Sequence, residues 1–118
     1  MGSYPEIPRT DVREGTTERI VMQLLADDVI INLNAIHHVE IELRDRKRTT
    51  YKYSSLATLA KVGVLVAPEG TVYFDPPATL FKVARSPYTG YIWVYETATN
   101  KYSVPEDSEF YIGVRKNF

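Results

Sequence analysis

The sequence contains no cysteine, only two histidines and a single tryptophan. It has no apolar run near the roughly 20 residues needed to span a bilayer as a helix. Each shortage removes a class of function. Without cysteine there is no disulfide framework, no zinc-thiolate site and no thiol nucleophile. The six glycines are scattered singly, so there is no glycine loop to cradle a phosphate, and no Gly-x-Ser-x-Gly elbow occurs. Net charge is scarce as well. Fourteen basic and fifteen acidic residues leave −1, which gives no global attraction to nucleic acid or to an anionic membrane. The first residues show no pattern of a secretory leader.

What remains is ordinary in bulk and unusual in detail. A chain of 118 residues, 44% apolar and 25% charged, fits one globular domain with a real core. Nine tyrosines are many for this length. The stretch Pro87 to Thr97 concentrates them: a turn signal over Pro87–Gly90, then Tyr91-Ile-Trp-Val-Tyr95. Aromatic and β-branched residues in that density favour a strand. Alternation puts Tyr91, Trp93 and Tyr95 on one face and Ile92 and Val94 on the other, so this strand is expected to be central.

The rest of the chain alternates in short runs. Residues 1–15, with Pro5 and Pro8, read as an extended arm, and residues 16–118 as the folded domain. Thr16–Leu25 has Ile20/Leu24 and Val21/Leu25 at helical spacing, but its short length and the turn at Ala26-Asp27-Asp28 favour a strand, and Val29–Leu33 reads as a second. Ile36–Arg44 is the cleanest pattern: Val39, Ile41 and Leu43 point one way, and His38, Glu40, Glu42 and Arg44 the other. Asp45–Arg48 makes a charged tip, with Thr49–Tyr53 as the returning strand. Ser54–Lys61 fits either a short capped helix or a loop. Val62–Val66 and Thr71–Asp75 pair across a turn at Ala67–Gly70, and Pro76-Pro77 stops the second of them. Thr79–Val83 reads as one more short strand. After Ala98–Lys101 a final run ends in Phe110–Val114. About seven to nine short strands result, with no βαβ unit, which predicts an all-β, immunoglobulin-like antiparallel sandwich. A barrel is the structural alternative.

Four constellations bear on chemistry. His38, Glu40 and Glu42 share a strand face and supply metal-ligating atoms, but neighbours on one strand converge poorly on an ion, so a solvated face is expected and no metal. Asp27-Asp28 and the Glu106, Asp107, Glu109 group lack the spacing of a calcium loop and read as turn chemistry. Arg44, Arg46, Lys47 and Arg48, with Lys52 nearby, form a basic hairpin end that reads first as a solvated tip, then as a contact for an acidic protein surface, and last as one for phosphate, since Asp45 and Glu42 dilute its charge. Tyr88, Tyr91, Trp93, Tyr95 and Tyr102 suit a core, an interface or the flat face of a sugar. No arrangement of nucleophile and base stands out, so neither an enzyme nor a cofactor is expected.

The order of these features resembles the N-terminal immunoglobulin-like domain of phage baseplate upper proteins and tail-appendage proteins. The residues that carry the resemblance are Leu25-Ala-Asp-Asp28, Val39-Glu-Ile-Glu-Leu-Arg44, Glu69-Gly-Thr-Val-Tyr-Phe74, Tyr88-Thr-Gly-Tyr-Ile-Trp-Val-Tyr95 and Phe110-Tyr-Ile-Gly-Val114. The likeness is one of pattern and order over about Thr16 to Val114, and it transfers no functional residue. Members of that family usually continue into a stalk or head, so a fragment or a stand-alone adaptor is expected here. The resemblance implies a virion structural protein of the baseplate, tail or capsid that docks on other virion proteins and forms a homo-oligomer, a trimer or ring, without nucleic acid or membrane. Contacts are expected at Arg44, Arg46, Lys47, Arg48, Tyr88, Tyr91 and Tyr102. The alternative is a carbohydrate-binding module for host surface glycans.

Overall fold

The structure, a computed structural model, describes residues 9–105 and 109–116. The chain is an all-β sandwich. Its strands in order are β1 (Arg9–Arg13), β2 (Ile20–Gln23), β3 (Leu25–Ala26), β4 (Val29–Ile30), β5 (His38–Arg44), β6 (Thr50–Ser54), β7 (Val62–Val66), β8 (Thr71–Phe74), β9 (Tyr88–Tyr95), β10 (Lys101–Val104) and β11 (Phe110–Arg115). The larger sheet runs β1-β11-β9-β5-β6, with β10 also on β9. The smaller runs β2-β8-β7, and β3 with β4 forms a separate hairpin.

As the alternating aromatic run predicts, β9 is central. It pairs with β5 along one edge, from His38–Tyr95 to Arg44–Thr89. Its other edge is shared by β10 over Ile92–Tyr95 and by β11 over Tyr88–Gly90. The inward residues Val39, Ile41, Leu43, Tyr88, Ile92, Val94 and Ile112 meet Ile20, Met22, Val62, Val72 and Phe74 of the smaller sheet. Rings bridge the two layers: Tyr53 lies 5.3 Å from Phe74, Phe74 6.4 Å from Phe81, and Phe81 5.0 Å from Tyr88. Edge-on geometry at the last two contacts suits the aromatic quadrupole.

Several expectations need correction. Pro87–Gly90 is not a turn, because Tyr88, Thr89 and Gly90 already belong to β9. Gly90 is needed there for space: a Cβ on it would stand 2.0 Å from the Glu42 carbonyl of β5. Close backbone approach is a known use of a strand glycine. Thr79–Val83 is not a strand. Leu80 and Phe81 are buried in an irregular segment, followed by a 3-10 turn at Val83–Arg85. The segment's polar groups go to a side chain instead of a ladder. The Tyr88 hydroxyl donates to the Leu80 carbonyl at 2.6 Å and accepts from the Lys82 N–H at 3.1 Å. Ser54–Lys61, open between helix and loop, is a loop after Ser54.

The sheets are not wholly antiparallel either. Residues 9–13 of the expected arm form β1, which lies parallel on β11 from Arg9–Tyr111 to Arg13–Arg115. With β1 and the two-residue strands β3 and β4, the described residues hold eleven strands, more than the expected seven to nine. Glu14 and Gly15 follow β1 as a turn, and Met1–Pro8, the start of that arm, lies outside the described residues.

Tyr88→Phe keeps the ring and removes the hydroxyl that serves Leu80 and Lys82. Leaving a buried donor and acceptor unpaired costs about 1–3 kcal/mol. Urea unfolding is expected to show that loss at an unchanged m-value.

Candidate functional site

The outer side of the larger sheet carries a connected set of polar and aromatic groups. Register fixes its layout. Tyr91, Trp93 and Tyr95 project outward along β9 and stand opposite Glu42, Glu40 and His38 of β5. Lys101 lies beside Tyr95 on β10, and Tyr111 of β11 lies beside Thr89. The three aromatics are half-buried while Ile92 and Val94 between them are fully buried. This is the division that the alternating pattern predicts.

The side chains hold one another in place. The Trp93 indole N–H donates to Glu42 Oε1 at 3.0 Å, and the Tyr91 hydroxyl reaches Glu42 Oε2 at 3.5 Å. Lys52 Nζ stands 4.0 Å from the same carboxylate. Tyr91 and Trp93 meet edge to face at 5.1 Å. Lys101 Nζ sits 4.1 Å above the Trp93 ring and 3.3 Å from the Tyr95 hydroxyl. On the far side of Tyr95, His38 stacks at 4.0 Å with only 15° between the planes. Burial, with Glu42 adding to it, raises the Tyr91 pKa. Burial and the neighbouring His37 lower that of His38. The face is therefore a pre-ordered row of aromatic rings rimmed by charges, the composition of an interface centre.

His38 was expected on a solvated face, yet it is buried against Tyr95 and its Nδ1 lies 2.7 Å from Nδ1 of His37. Its ring is committed to those neighbours. Among the described residues no group of three or more His, Asp or Glu side chains converges as metal ligands do. Asp27 and Asp28 form the two-residue turn between β3 and β4, both with positive φ, 52° and 65°. Asp and Asn tolerate that conformation better than other non-glycine residues, so turn chemistry accounts for them. Glu109 is exposed, and Glu106 and Asp107 lie outside the described residues.

The expected contact residues divide. Tyr88 is fully buried, so it is a core residue and not a docking residue. Tyr102 faces inward opposite Val94 and packs at the margin of the core, half-buried. Of the three tyrosines only Tyr91 is on the outer face. Arg44, Lys47 and Arg48 are exposed at the tip. Arg46 is exposed but tethered, its Nη2 donating to the Ala84 carbonyl at 2.9 Å.

The tip is built around a residue that the sequence pattern hides. Asp45 is a charged residue in a charged run, yet its side chain is 0% exposed. Its Oδ1 accepts from the N–H groups of Lys47 at 2.8 Å and Thr49 at 3.0 Å. Its Oδ2 accepts from the Tyr51 hydroxyl at 2.8 Å and from Arg85 Nη1 at 2.9 Å. The hairpin end is thereby fastened to the 3-10 turn before β9. Burial alone would raise the carboxyl pKa, but the bonds from Thr49, Tyr51, Arg85 and Lys47 outweigh it and the net shift is downward from 3.8. The Tyr51 phenol moves the other way, pushed up to about 12 by burial and by Asp45. No spacing signal points to Asp45; an acid directly after a strand and three residues before a positive-φ residue, Arg48, is the nearest trace of it.

Compared with models of known protein families and with curated protein sequences, the chain matches none.

Because the Asp45 pKa is lowered on folding, its contribution is complete above the ordinary value of 3.8 and is lost as pH falls below it towards the folded value. Melting temperature is expected to fall below about pH 4. Asp45→Asn is expected to be less stable at neutral pH and to show a flatter acid slope.

Proposed function

We propose that this protein is a non-enzymatic structural protein of a phage particle, a baseplate, tail or capsid adaptor or decoration protein, and that it docks through the outer face of the larger sheet. The resemblance in feature order supplies the setting, and the virion is the location it implies. The carrying observation is the Tyr91, Trp93, Tyr95 row. Large apolar rings on an open sheet face, already fixed by Glu42, His38 and Lys101, lose little freedom on contact. Trp and Tyr at the centre with Glu40, Lys52 and Lys101 around them reproduce the anchor-and-rim arrangement of protein hot spots. The Arg44, Arg46, Lys47 and Arg48 tip adjoins this face and supplies steering towards an acidic surface.

The same rings raise the glycan reading. Sugar stacking needs an open ring face, and two of the three rings already have one covered: Tyr95 by His38 and Trp93 by Lys101. That favours a polypeptide partner.

The test is co-sedimentation of the purified protein with the head and tail proteins encoded beside its gene. The Tyr91→Ala/Trp93→Ala double variant is expected to bind at least about 10-fold more weakly, as loss of two central anchors implies, with its melting temperature within a few degrees of the parent. Undiminished binding by that variant would refute the assignment of the face. Saturable glycan-array binding lost in Tyr91→Ala would replace the partner with a sugar.

A further inference from the structure

We propose that the end of the sandwich around the β5–β6 turn binds the phosphodiester backbone of a nucleic acid without reading its sequence. A total charge of −1 argues against such a partner only if the charge is evenly spread, and the fold spreads it unevenly. Three segments far apart in the chain meet at this end. The Arg46 N–H donates to the Arg85 carbonyl at 3.0 Å, and Arg46 Nη2 to the Ala84 carbonyl at 2.9 Å. Glu14 Oε2 accepts from the Val83 N–H at 3.1 Å, and the Glu14 N–H donates to the Arg115 carbonyl at 2.8 Å. The hairpin end, the 82–86 segment and the end of β11 are thereby held side by side.

Their charges are largely of one sign. The hairpin end brings Arg44, Arg46, Lys47 and Arg48. The second segment adds Lys82 and Arg85, and Lys116 follows β11. Against these stand two carboxylates, both engaged: Asp45 is buried on Arg85, and Glu14 is bonded to Val83. Arg44, Lys47, Arg48, Lys82 and Lys116 are exposed, and none has an ion-pair partner among the described residues. Arg13 and Arg115 beside them are offset by Asp11 and Glu18 and add nothing. Acidic residues collect elsewhere: Glu96 follows the other end of β9, and Asp27-Asp28 lie beyond the far end of β2.

The turn holds one of these cations under strain. The Asp45 N–H donates to the Thr49 carbonyl at 3.0 Å and the Arg48 N–H to the Asp45 carbonyl at 2.9 Å, which closes a three-residue loop, Arg46-Lys47-Arg48. Such loops put their last residue in the left-handed region, where glycine fits best. Arg48 occupies it with φ 69°. Its guanidinium has no ion-pair partner among the described residues, so nothing inside the fold explains an arginine there. A strained residue kept at an exposed tip points to a use for its side chain.

Composition separates nucleic acid from an acidic protein. Protein interface centres are poor in lysine and are anchored by apolar rings. The exposed large apolar residues are Val29, Ile30, Leu56, Leu59 and Leu65, and none lies in the three segments. Nucleic-acid interfaces are much more positive, and arginine and lysine contacts to phosphate position them. The Arg46 tether and the Asp45–Arg85 bond fix two of the cations before contact, which lowers the ordering cost. The inference goes beyond the docking reading and does not rest on the aromatic face.

Fluorescence anisotropy of the full chain with a short labelled DNA duplex of arbitrary sequence tests it. Micromolar binding at low salt is expected, alike for unrelated sequences, with a log–log salt slope of about −4 to −5 for roughly four to six phosphate contacts. Arg48→Gly is expected to bind about 3-fold more weakly with a slope shallower by about 1, while its melting temperature rises by a few degrees as the strain is relieved. Lys47→Gln/Lys82→Gln/Lys116→Gln is expected to bind at least about 10-fold more weakly at the stability of the parent. Circular dichroism checks each fold, and Arg48→Asn, tolerant of positive φ, replaces Arg48→Gly if that one unfolds. Tyr91→Ala/Trp93→Ala is expected to bind the duplex like the parent, whatever its effect on docking to virion proteins. No binding at low salt, an affinity indifferent to salt, or Arg48→Gly that binds like the parent or melts below it would each overturn the proposal. So would loss of duplex binding in the aromatic double variant. Poly-glutamate bound as tightly as the duplex would make the partner an acidic protein and refute the nucleic-acid reading.

Discussion

The antiparallel pairing of β5 with β9 sets both faces of the larger sheet at once. Because side chains alternate, the register that places Ile41 against Ile92 and Val39 against Val94 in the core also places Glu42 against Tyr91 and Glu40 against Trp93 outside. A slip of one residue would exchange the two sets, burying carboxylates and exposing the aliphatic row. The buried row makes that slip costly, and so the order of the outer aromatic face is a by-product of core packing. Gly90 belongs to the same constraint, since its missing side chain lets the β5 backbone pass at that point.

Two buried polar anchors complete the frame, and both act on segments without regular hydrogen bonding. Tyr88 holds the 80–82 segment by its hydroxyl, and Asp45 holds the β5–β6 turn and Arg85 by its two oxygens. Irregular backbone carries polar groups that no ladder satisfies, so a side chain must serve them. The two anchors flank the start of β9. The basic tip and the entry to the central strand are thereby fixed relative to each other, which keeps Arg44 at the end of the row that carries the aromatics.

How much of this the residues announce differs element by element. Val39-Glu-Ile-Glu-Leu-Arg44 and Tyr91-Ile-Trp-Val-Tyr95 declare strands and their faces directly, because a period of two is a local property of the chain. The all-β class follows from counting such runs. Tyr88 was legible as a core or interface aromatic, but the choice between the two was not, since its burial depends on Phe81 and the 80–82 segment folding over it. Arg9–Arg13 reads as an arm because nothing local signals that β11, a hundred residues later, will accept it in parallel. His38 looks like a wet position by alternation, and Tyr95, stacked on it, together with His37 covers it. Local alternation was enough for the all-β class and for which side chains point outward along β5 and β9, but it left sandwich and barrel both open. That Asp45 is buried, that β1 lies on β11 and that Trp93 finds Glu42 required the folded chain, because each is a contact between segments whose meeting no short-range pattern encodes.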